Sequence, residues 1–335
     1  MNYNMATFTF ILLLAVVAVI AIPDFQYDLE KAEEYFEAFI QEYGKEYANE
    51  DVKARKFEVF KESLKAYNKM NMEQSHAKFG IHEHSDLTRE ELQKIRGGFR
   101  RMEGGFRRMT DSNCTSHTRA PAVNPPEAYD WQLQGSVVTP VKQQMCGDCY
   151  AFSATGNIEG QYAKKYGKLV ELSEQQIVDC DKTNAGCHGG DMIKAIMEIK
   201  RVGGQMSLKD YPYNGIQGKC SFNASDIQAK VIGCETYNLT SEDDLVKVLY
   251  NRGPLAVGVD STDLQAYLGG ILRSCSFKTG NHGVLLVGYG VEDNIKFWRF
   301  KNSWGGFGEK GYIRVERGKN LCGLMSDQIT SAIVA

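Results

Sequence analysis

Hydrolysis of an amide by a thiol needs a cysteine that ionises and a base to take and return its proton. It also needs a group that orients the base and donors for the oxyanion that forms. This chain offers one of each in order: Gln143 or Gln144, Cys149, His282 and Asn302. Cys149 opens a segment in which Ala151, Phe152, Ala154, Ile158 and Tyr162 recur near i, i+3 and i+4 spacing, which predicts a helix with a buried face. Unpaired N–H groups and the macrodipole at a helix N-terminus favour an anion, so a thiol there becomes a thiolate more readily. His282, in Asn281-His282-Gly283, stands at the mouth of the apolar strand GVLLVGYG, and Lys301-Asn302-Ser303-Trp304-Gly305 ends the next strand. The Asn302 amide oxygen can then accept the ring N–H of His282, with Trp304 shielding the bond from water. The backbone N–H of Cys149 and a side-chain amide from Gln143 or Gln144 would face the oxyanion. Each residue alone is more often structural than reactive, and His76, His82, His84, His117 and His188 show how little one histidine says. The signal is the four together in this order.

The elements that must hold these residues fall into two halves. After the helix of Cys149, Leu172–Cys180 predicts a helical turn capped by Ser173, Gly186–Gly190 a Gly-rich loop, and Asp191–Arg201 a further helix. From Val231 onward strands dominate, at Ala256–Val259, Gly283–Tyr289, Lys296–Lys301 and Gly311–Val315. A helical half thus precedes a β-rich half, with a cleft expected between them. Upstream, Asp24–Asn71 predicts one charge-rich helical run, Ala77–Asp86 interrupts it and Thr88–Ile95 resumes it. A tandem repeat follows, GGFRRME at Gly97–Glu103 and GGFRRMT at Gly104–Thr110. With the polar stretch Asp111–Pro126 it makes a flexible, dibasic linker. Such a linker between a helical and a cysteine-rich domain suggests proteolytic activation.

The chain has 335 residues, 43% hydrophobic and 24% charged, enough for two or three cores of an ordinary globular protein. Its net charge of −3 sums an acidic Asp24–Glu62 and a basic Lys94–Arg119. Neither carries an aromatic-interleaved basic face, which argues against nucleic acid as a partner. Phe8–Ile22 is apolar, short for a membrane span, and followed by Pro23, with small residues where a signal peptidase would cut. A removed secretory signal over 1–21 is expected, the alternative being an uncleaved anchor. Nine cysteines then fall in an oxidising compartment, and the odd count leaves at least one outside a disulfide, as a catalytic thiol requires. Asn113, Asn223 and Asn238 open glycosylation triplets.

CGDCYAFS, GCHGG, NHGVLLVGYG and KNSWG resemble the papain/cathepsin cysteine peptidases, in particular the cathepsin L-like branch with its insect and baculovirus members. The resemblance spans nearly the whole chain. It implies an α+β, papain-like fold of two lobes, one helical and one β-barrel-like, behind a helical inhibitory propeptide. The expected divisions are a signal over 1–21, a propeptide over 22–123 (inhibitor domain 24–95, processing linker 96–123) and a peptidase domain over 124–335. Cys149 would be the nucleophile, His282 its base and later acid, paired as thiolate and imidazolium, and Asn302 the orienting group. The resemblance implies no metal or organic cofactor. The implied partners are protein and peptide substrates, the chain's own propeptide and cystatin-like inhibitors, for a monomer in a lysosome or outside the cell.

By the same resemblance the disulfides are Cys146–Cys187, Cys180–Cys220 and Cys275–Cys322, while Cys234 is free or pairs with Cys114. Gly189, Gly190 and Trp304 line the substrate cleft. Met192, Gly258, Gly283 and, at its floor, Asp327 form the pocket for the residue before the cut residue, roomy enough for Phe or Leu and, through Asp327, for Arg. Phe99-Arg100 and Phe106-Arg107 are expected self-cleavage sites, with a host dibasic-specific convertase as the alternative.

The sequence departs from the family's Gln-Gly-x-Cys-Gly-Ser-Cys-Trp, since Gln143-Gln144-Met145-Cys146 lacks the Gly and, counted from Gln144, is one residue short. Six-residue spacing to Cys149 favours Gln143 as oxyanion donor, and a local deletion would favour Gln144. Asp148 and Tyr150 replace a small residue and Trp, and the loop after Asn302 is also one residue shorter, with Phe307 for a Trp. The propeptide's Gly-x-Asn-x-Phe-x-Asp becomes Gly80, His82, His84 and Asp86, two histidines that would charge near pH 6. The shortened loops motivate the second reading, a catalytically impaired homologue acting as a binding or decoy protein.

Overall fold

The structure is a computed structural model that describes residues 26–96, 98, 114–327 and 329–335. The expected signal segment, the Arg100 and Arg107 sites of the repeat, and Asn113 lie outside the described residues. The chain opens with helices α1 (Ala32–Tyr43) and α2 (Glu50–Glu73) where the apolar pattern predicts one run. The division falls at Gly44, whose φ of +59° closes α1 through its N–H to the Ile40 carbonyl. Asn49 then caps α2, its Oδ1 accepting the Val52 N–H at 2.9 Å. Phe36, Phe39, Phe60 and Leu64 bury the faces between the two helices. Strand β1 (Ala77–Phe79) and helix α3 (Arg89–Arg96) complete this part.

Next come β2 (Thr115–His117), β3 (Tyr129–Asp130), α4 (Trp131–Gly135), α5 (Cys149–Tyr166), α6 (Glu174–Cys180) and α7 (Met192–Val202). The β-rich half follows with β4 (Gln205–Met206), β5 (Ile227–Ala229), β6 (Val231–Tyr237), α8 (Glu242–Arg252), β7 (Leu255–Val259) and β8 (Tyr267–Leu272). It ends with β9 (His282–Glu292), β10 (Ile295–Lys301), the short α9 (Phe307–Lys310), β11 (Tyr312–Glu316) and β12 (Ile329–Val334). Helix α8 interrupts the expected run of strands. Its signal is Ser241, whose side chain accepts the Asp244 N–H, ahead of an acidic first turn.

One sheet carries the order β1-β8-β11-β10-β9-β7-β12-β6-β2, with β3 beside β9. Its two outermost strands come from the N-terminal part of the chain. Ala77–Phe79 lies antiparallel on β8, and its end is clamped by Asn71, which bonds both backbone groups of Phe79 at 2.9 Å. Thr115–His117 runs parallel to β6, and Cys114 is disulfide-bonded to Cys234 on that strand. The remaining disulfides are Cys146–Cys187, Cys180–Cys220 and Cys275–Cys322. One apolar core joins α1 and α2 to the β-rich half, and a second lies among α5, α6 and α7.

Helix α5 is buried on nearly every face, because small residues let it sit directly on the sheet. Ser153 Oγ donates to the Val284 carbonyl at 2.7 Å, and a Cβ on Gly156 would lie 3.2 Å from Leu285 Cδ2. Asn157 Nδ2 donates to the Pro254 carbonyl at 2.8 Å while its Oδ1 accepts the Ala332 N–H at 2.7 Å. Beneath, Lys142 Nζ bridges Glu159 at 3.0 Å and Glu174 at 2.8 Å, and Lys301 reaches the same cluster through Thr139 at 2.8 Å. A valine at Gly156 would force the helix off Leu285. Gly156→Val in a Cys149→Ala background should lower unfolding stability by about 2 kcal/mol, read by urea denaturation; an unchanged midpoint would show that the seam tolerates the added volume.

Candidate active site

Three elements bring the chemically capable residues together. Cys149 is the first residue of α5, His282 the first of β9, and Asn302 follows β10 directly. The Gly283 N–H donates to Cys149 Sγ at 3.2 Å, so the thiol lies against the start of β9. Space at Gly283 is tight: a Cβ would press at 3.3 Å on the Cys149 carbonyl, Met192 Sδ and Tyr150 Cα, and these would have to give by a few tenths of an ångström. His282 Nε2 meets Asn302 Oδ1 at 2.8 Å, and since an amide oxygen only accepts, the ring carries its proton on Nε2. Nδ1 has no hydrogen-bond partner among the described residues. Trp304 stacks on the ring with centroids 4.6 Å apart. The other eight cysteines form four disulfides, leaving Cys149 as the thiol.

The two glutamines separate clearly. Gln143, favoured by spacing, turns its amide toward Glu83 on the exposed face at 3.4 Å. Gln144 is buried, and its backbone N–H donates to the Ser303 carbonyl at 2.7 Å. Its Oε1 accepts from Ser303 Oγ at 2.6 Å, which aims Nε2 at the Cys146 carbonyl (2.8 Å) and the Ile95 carbonyl (3.0 Å). Spacing favours Gln143, whereas the geometry turns Gln144 inward. The missing glycine shifts the loop by one residue, and Gln144 takes the inward position. Ser303, adjacent to Asn302 in KNSWG, is the partner that sequence alone did not single out.

The residues expected to line the cleft are held by the N-terminal part of the chain. The Gly190 N–H donates to the Gly98 carbonyl at 2.7 Å, and Gly98, at φ +127°, passes so close to Gly147 that a Cβ would lie 2.1 Å from its carbonyl oxygen. Gly189 precedes Gly190 in the same loop, with Met192 fully buried at the start of α7. Gly258 and Gly283 face each other in the β7–β9 register. Asp327 is buried, its Oδ2 accepting the Gly280 N–H at 2.7 Å. Asn223 and Asn238 are exposed.

Arg96 is the feature sequence reasoning passed over. Its guanidinium, 2% exposed, lies over Trp304 at 4.7 Å and Phe307 at 4.4 Å and donates to the Gln265 carbonyl at 3.0 Å. Nη2 approaches His82 Nδ1 at 3.4 Å and His84 Nδ1 at 3.1 Å. Burial draws the His282 pKa down to about 4, the Asn302 bond opposing and Arg96 adding to the shift. Burial, with Arg96 adding to it, thus favours a neutral imidazole beside Cys149, where an imidazolium is expected of the open site.

A papain family cysteine protease model matches residues 125–332, and a cathepsin propeptide inhibitor domain model matches residues 36–92. A viral cathepsin of Cydia pomonella granulosis virus is 40% identical over 331 residues, covering 97% of this chain and 98% of its own. One of Spodoptera litura multicapsid nucleopolyhedrovirus is 39% identical over 316 residues, covering 92% and 93%. Among solved structures, the digestive procathepsin L2 proteinase from Tenebrio molitor larval midgut aligns with a TM-score of 0.82 and 30% identity, over 90% of this chain and 99% of that one.

Protons set the strength of the Arg96 contact. To accept from Arg96, His82 and His84 must each keep a lone pair on Nδ1. His82 Nδ1 also accepts the His84 N–H at 3.2 Å, and His84 Nδ1 lies 3.1 Å from Glu83 Oε1, to which it can donate only when Nδ1 itself carries a hydrogen. Burial first, then Arg96, His84 and Lys45, hold His82 well below the ordinary histidine pKa. Lys45 is itself paired with Asp86 at 3.3 Å, which also accepts from Tyr47, while Tyr67 OH sits 3.4 Å from His82 Nε2. Through His82 the docked state therefore binds fewer protons than the undocked one. Docking is complete above about pH 6.5 and weakens as pH falls below that value toward the lowered pKa of His82. Labelling of Cys149 in the zymogen by a thiol-directed epoxide should accelerate between about pH 7 and pH 5, and His82→Asn/His84→Phe should flatten the rise. An identical profile in that variant would remove the histidines from the response.

Proposed function

The chain belongs to the papain family of cysteine proteases and carries its propeptide as a zymogen, and from that premise we propose that Cys149, His282 and Asn302 hydrolyse peptide bonds through an acyl-enzyme. One observation carries the assignment. His282 has its proton fixed on Nε2 by Asn302 and a bare Nδ1, and the next residue's N–H touches Cys149 Sγ. Once the cleft opens, Nδ1 takes the thiol proton to give thiolate and imidazolium, the pair favoured by the N-terminus of α5. The thiolate attacks the carbonyl carbon, and the oxyanion is met by the Cys149 N–H and a Gln144 side-chain N–H. His282 returns its proton to the leaving amine, then activates the water that releases the acyl group. The Ile95 carbonyl on Gln144 and the Gly98 carbonyl on Gly190 support the view that the propeptide inhibits by placing its own backbone on the donors that substrate uses.

The wider assignment follows the same lines. Residues 1–21 serve as a signal, 22–123 as the propeptide and 124–335 as the peptidase, directing a monomeric enzyme through the secretory pathway to a lysosome or the exterior. Asn223 and Asn238, both exposed, are glycosylation acceptors, and cystatin-like proteins are inhibitors of the open cleft. The pocket before the cut residue takes Phe or Leu above Met192, Gly258 and Gly283. Arg is admitted by Asp327, which lies two residues before the Ile329 partner of Val257.

Acidified wild-type zymogen should cleave a fluorogenic peptide and take up one epoxide on Cys149, while Cys149→Ala should do neither. Gln144→Ala should lower kcat about 100-fold, and Gln143→Ala should leave it within a few-fold. An inert wild type with an unlabelled Cys149 would favour the impaired homologue. Asp327→Ala should cut the preference for Arg relative to Phe about tenfold in kcat/KM at pH 6; an unchanged ratio would show that this carboxylate does not touch the substrate.

A further inference from the structure

Tyr213 sits where the pieces of the oxyanion side of the cleft meet. Its hydroxyl donates to Asp148 Oδ2 at 2.7 Å and accepts the N–H of Met145 at 2.9 Å. Met145 follows Gln144 in the loop that lacks a residue, and Asp148 directly precedes Cys149. Both ends of this short segment are therefore tied to one phenol. Aspartate at the residue before a helix ordinarily accepts from the N–H groups of the first turn. Asp148 holds that position for α5 yet makes no side-chain cap, and it is fully buried with Oδ1 lacking a partner among the described residues. A group well suited to cap the helix is turned instead toward a tyrosine 65 residues away. Burial draws its pKa up to about 7, so in mild acid it is a neutral carboxyl that still accepts from Tyr213.

The consequence falls on Gln144. On one side Ser303 holds its backbone N–H and its Oε1. On the other side the loop is fixed by the Met145 N–H on Tyr213 and by the Asp148 N–H on the Cys146 carbonyl at 2.9 Å, the same carbonyl that accepts one Gln144 amide proton. A phenol has one proton. With that proton given to Asp148, its lone pair is aimed at Met145; without Asp148 the hydroxyl is free to turn.

We propose that Asp148 and Tyr213 are positioning residues for the oxyanion donor, holding the shortened Gln144–Met145 loop so that the Gln144 amide faces the reacting carbonyl. This rests on the assignment of Gln144 as oxyanion donor. Asp148 acts through a hydrogen bond and not through charge, so an asparagine can replace it.

The test measures kcat and KM at about pH 5.5 for activated wild type, Tyr213→Phe, Asp148→Ala, Asp148→Asn, Gln144→Ala and Gln144→Ala/Tyr213→Phe. Active sites are counted by epoxide titration of Cys149, so misfolded protein does not enter the rates. Tyr213→Phe and Asp148→Ala should each lower kcat about tenfold with KM within twofold, and Asp148→Asn should stay near wild type. Placed on Gln144→Ala, Tyr213→Phe should change kcat by less than about twofold, because the group it positions is gone. An equal loss in both backgrounds would overturn the proposal and make Tyr213 a general structural residue. Asp148→Asn falling as far as Asp148→Ala would overturn it in favour of charge. If Gln144→Ala loses kcat and Tyr213→Phe does not, this inference fails alone; if Gln144→Ala keeps full activity, the oxyanion assignment fails first and takes this one with it.

Discussion

Everything in the site depends on how closely α5 approaches β9. Cys149 sits at the end of one element and His282 at the end of the other, so their separation is set by the packing between them. Gly156 against Leu285, Ser153 on the Val284 carbonyl and Gly283 under Cys149 bring helix and strand nearer than ordinary side chains would allow. The buried Lys142–Glu159–Glu174 cluster lies below the same seam and reaches Lys301, the residue before Asn302. Charges taken so far from water tolerate little movement of their partners. The Asn302 amide is thereby held in register with the helix as well as with its own strand.

The propeptide meets this site with geometry and charge together. Its backbone carbonyls occupy donors at Gln144 and Gly190, while Arg96 brings a buried cation above Trp304, which stacks on His282. Burial disfavours charge on the His282 imidazole and the cation adds to that, so the ring is held in the state that cannot stabilise a thiolate. Arg96 is in turn received by two imidazoles and a carbonyl, and it lies over the adjacent rings of Trp304 and Phe307. A carboxylate partner would hold it equally well at any mildly acidic pH. Imidazole acceptors make the arrangement conditional on protons.

How far the sequence disclosed all this varied with the range of the interaction. Cys149, His282 and Asn302 were legible because each stands at the punctuated end of a strongly patterned segment, and end positions are where side chains converge on a cleft. Gly44 went unread because apolar residues continue in helical phase on both sides of it, and only the left-handed φ makes it a stop. Spacing alone does not say which glutamine turns inward, because a deletion one residue away changes the count; Ser303 holds Gln144 there, and that contact spans 159 residues. Asp148 could be placed beside the nucleophile, but its orientation is decided by Tyr213, which no local pattern connects to it. Interactions within a turn or strand leave a periodic trace, and those made across the fold do not.

The bond between Cys114 and Cys234 changes what it means to cut this chain. It closes a covalent ring through the strand pair β2–β6, so the stretch beginning at Cys114 is attached to the β-rich half independently of the peptide links that follow it. Scission before Cys114 separates the inhibitory helices from the enzyme. Scission between Cys114 and Cys234 separates nothing, and turns one polypeptide into two that still travel as a unit until a reductant reaches them. Peptide-bond cleavage and the departure of fragments are therefore distinct events in this molecule, governed by different chemistries.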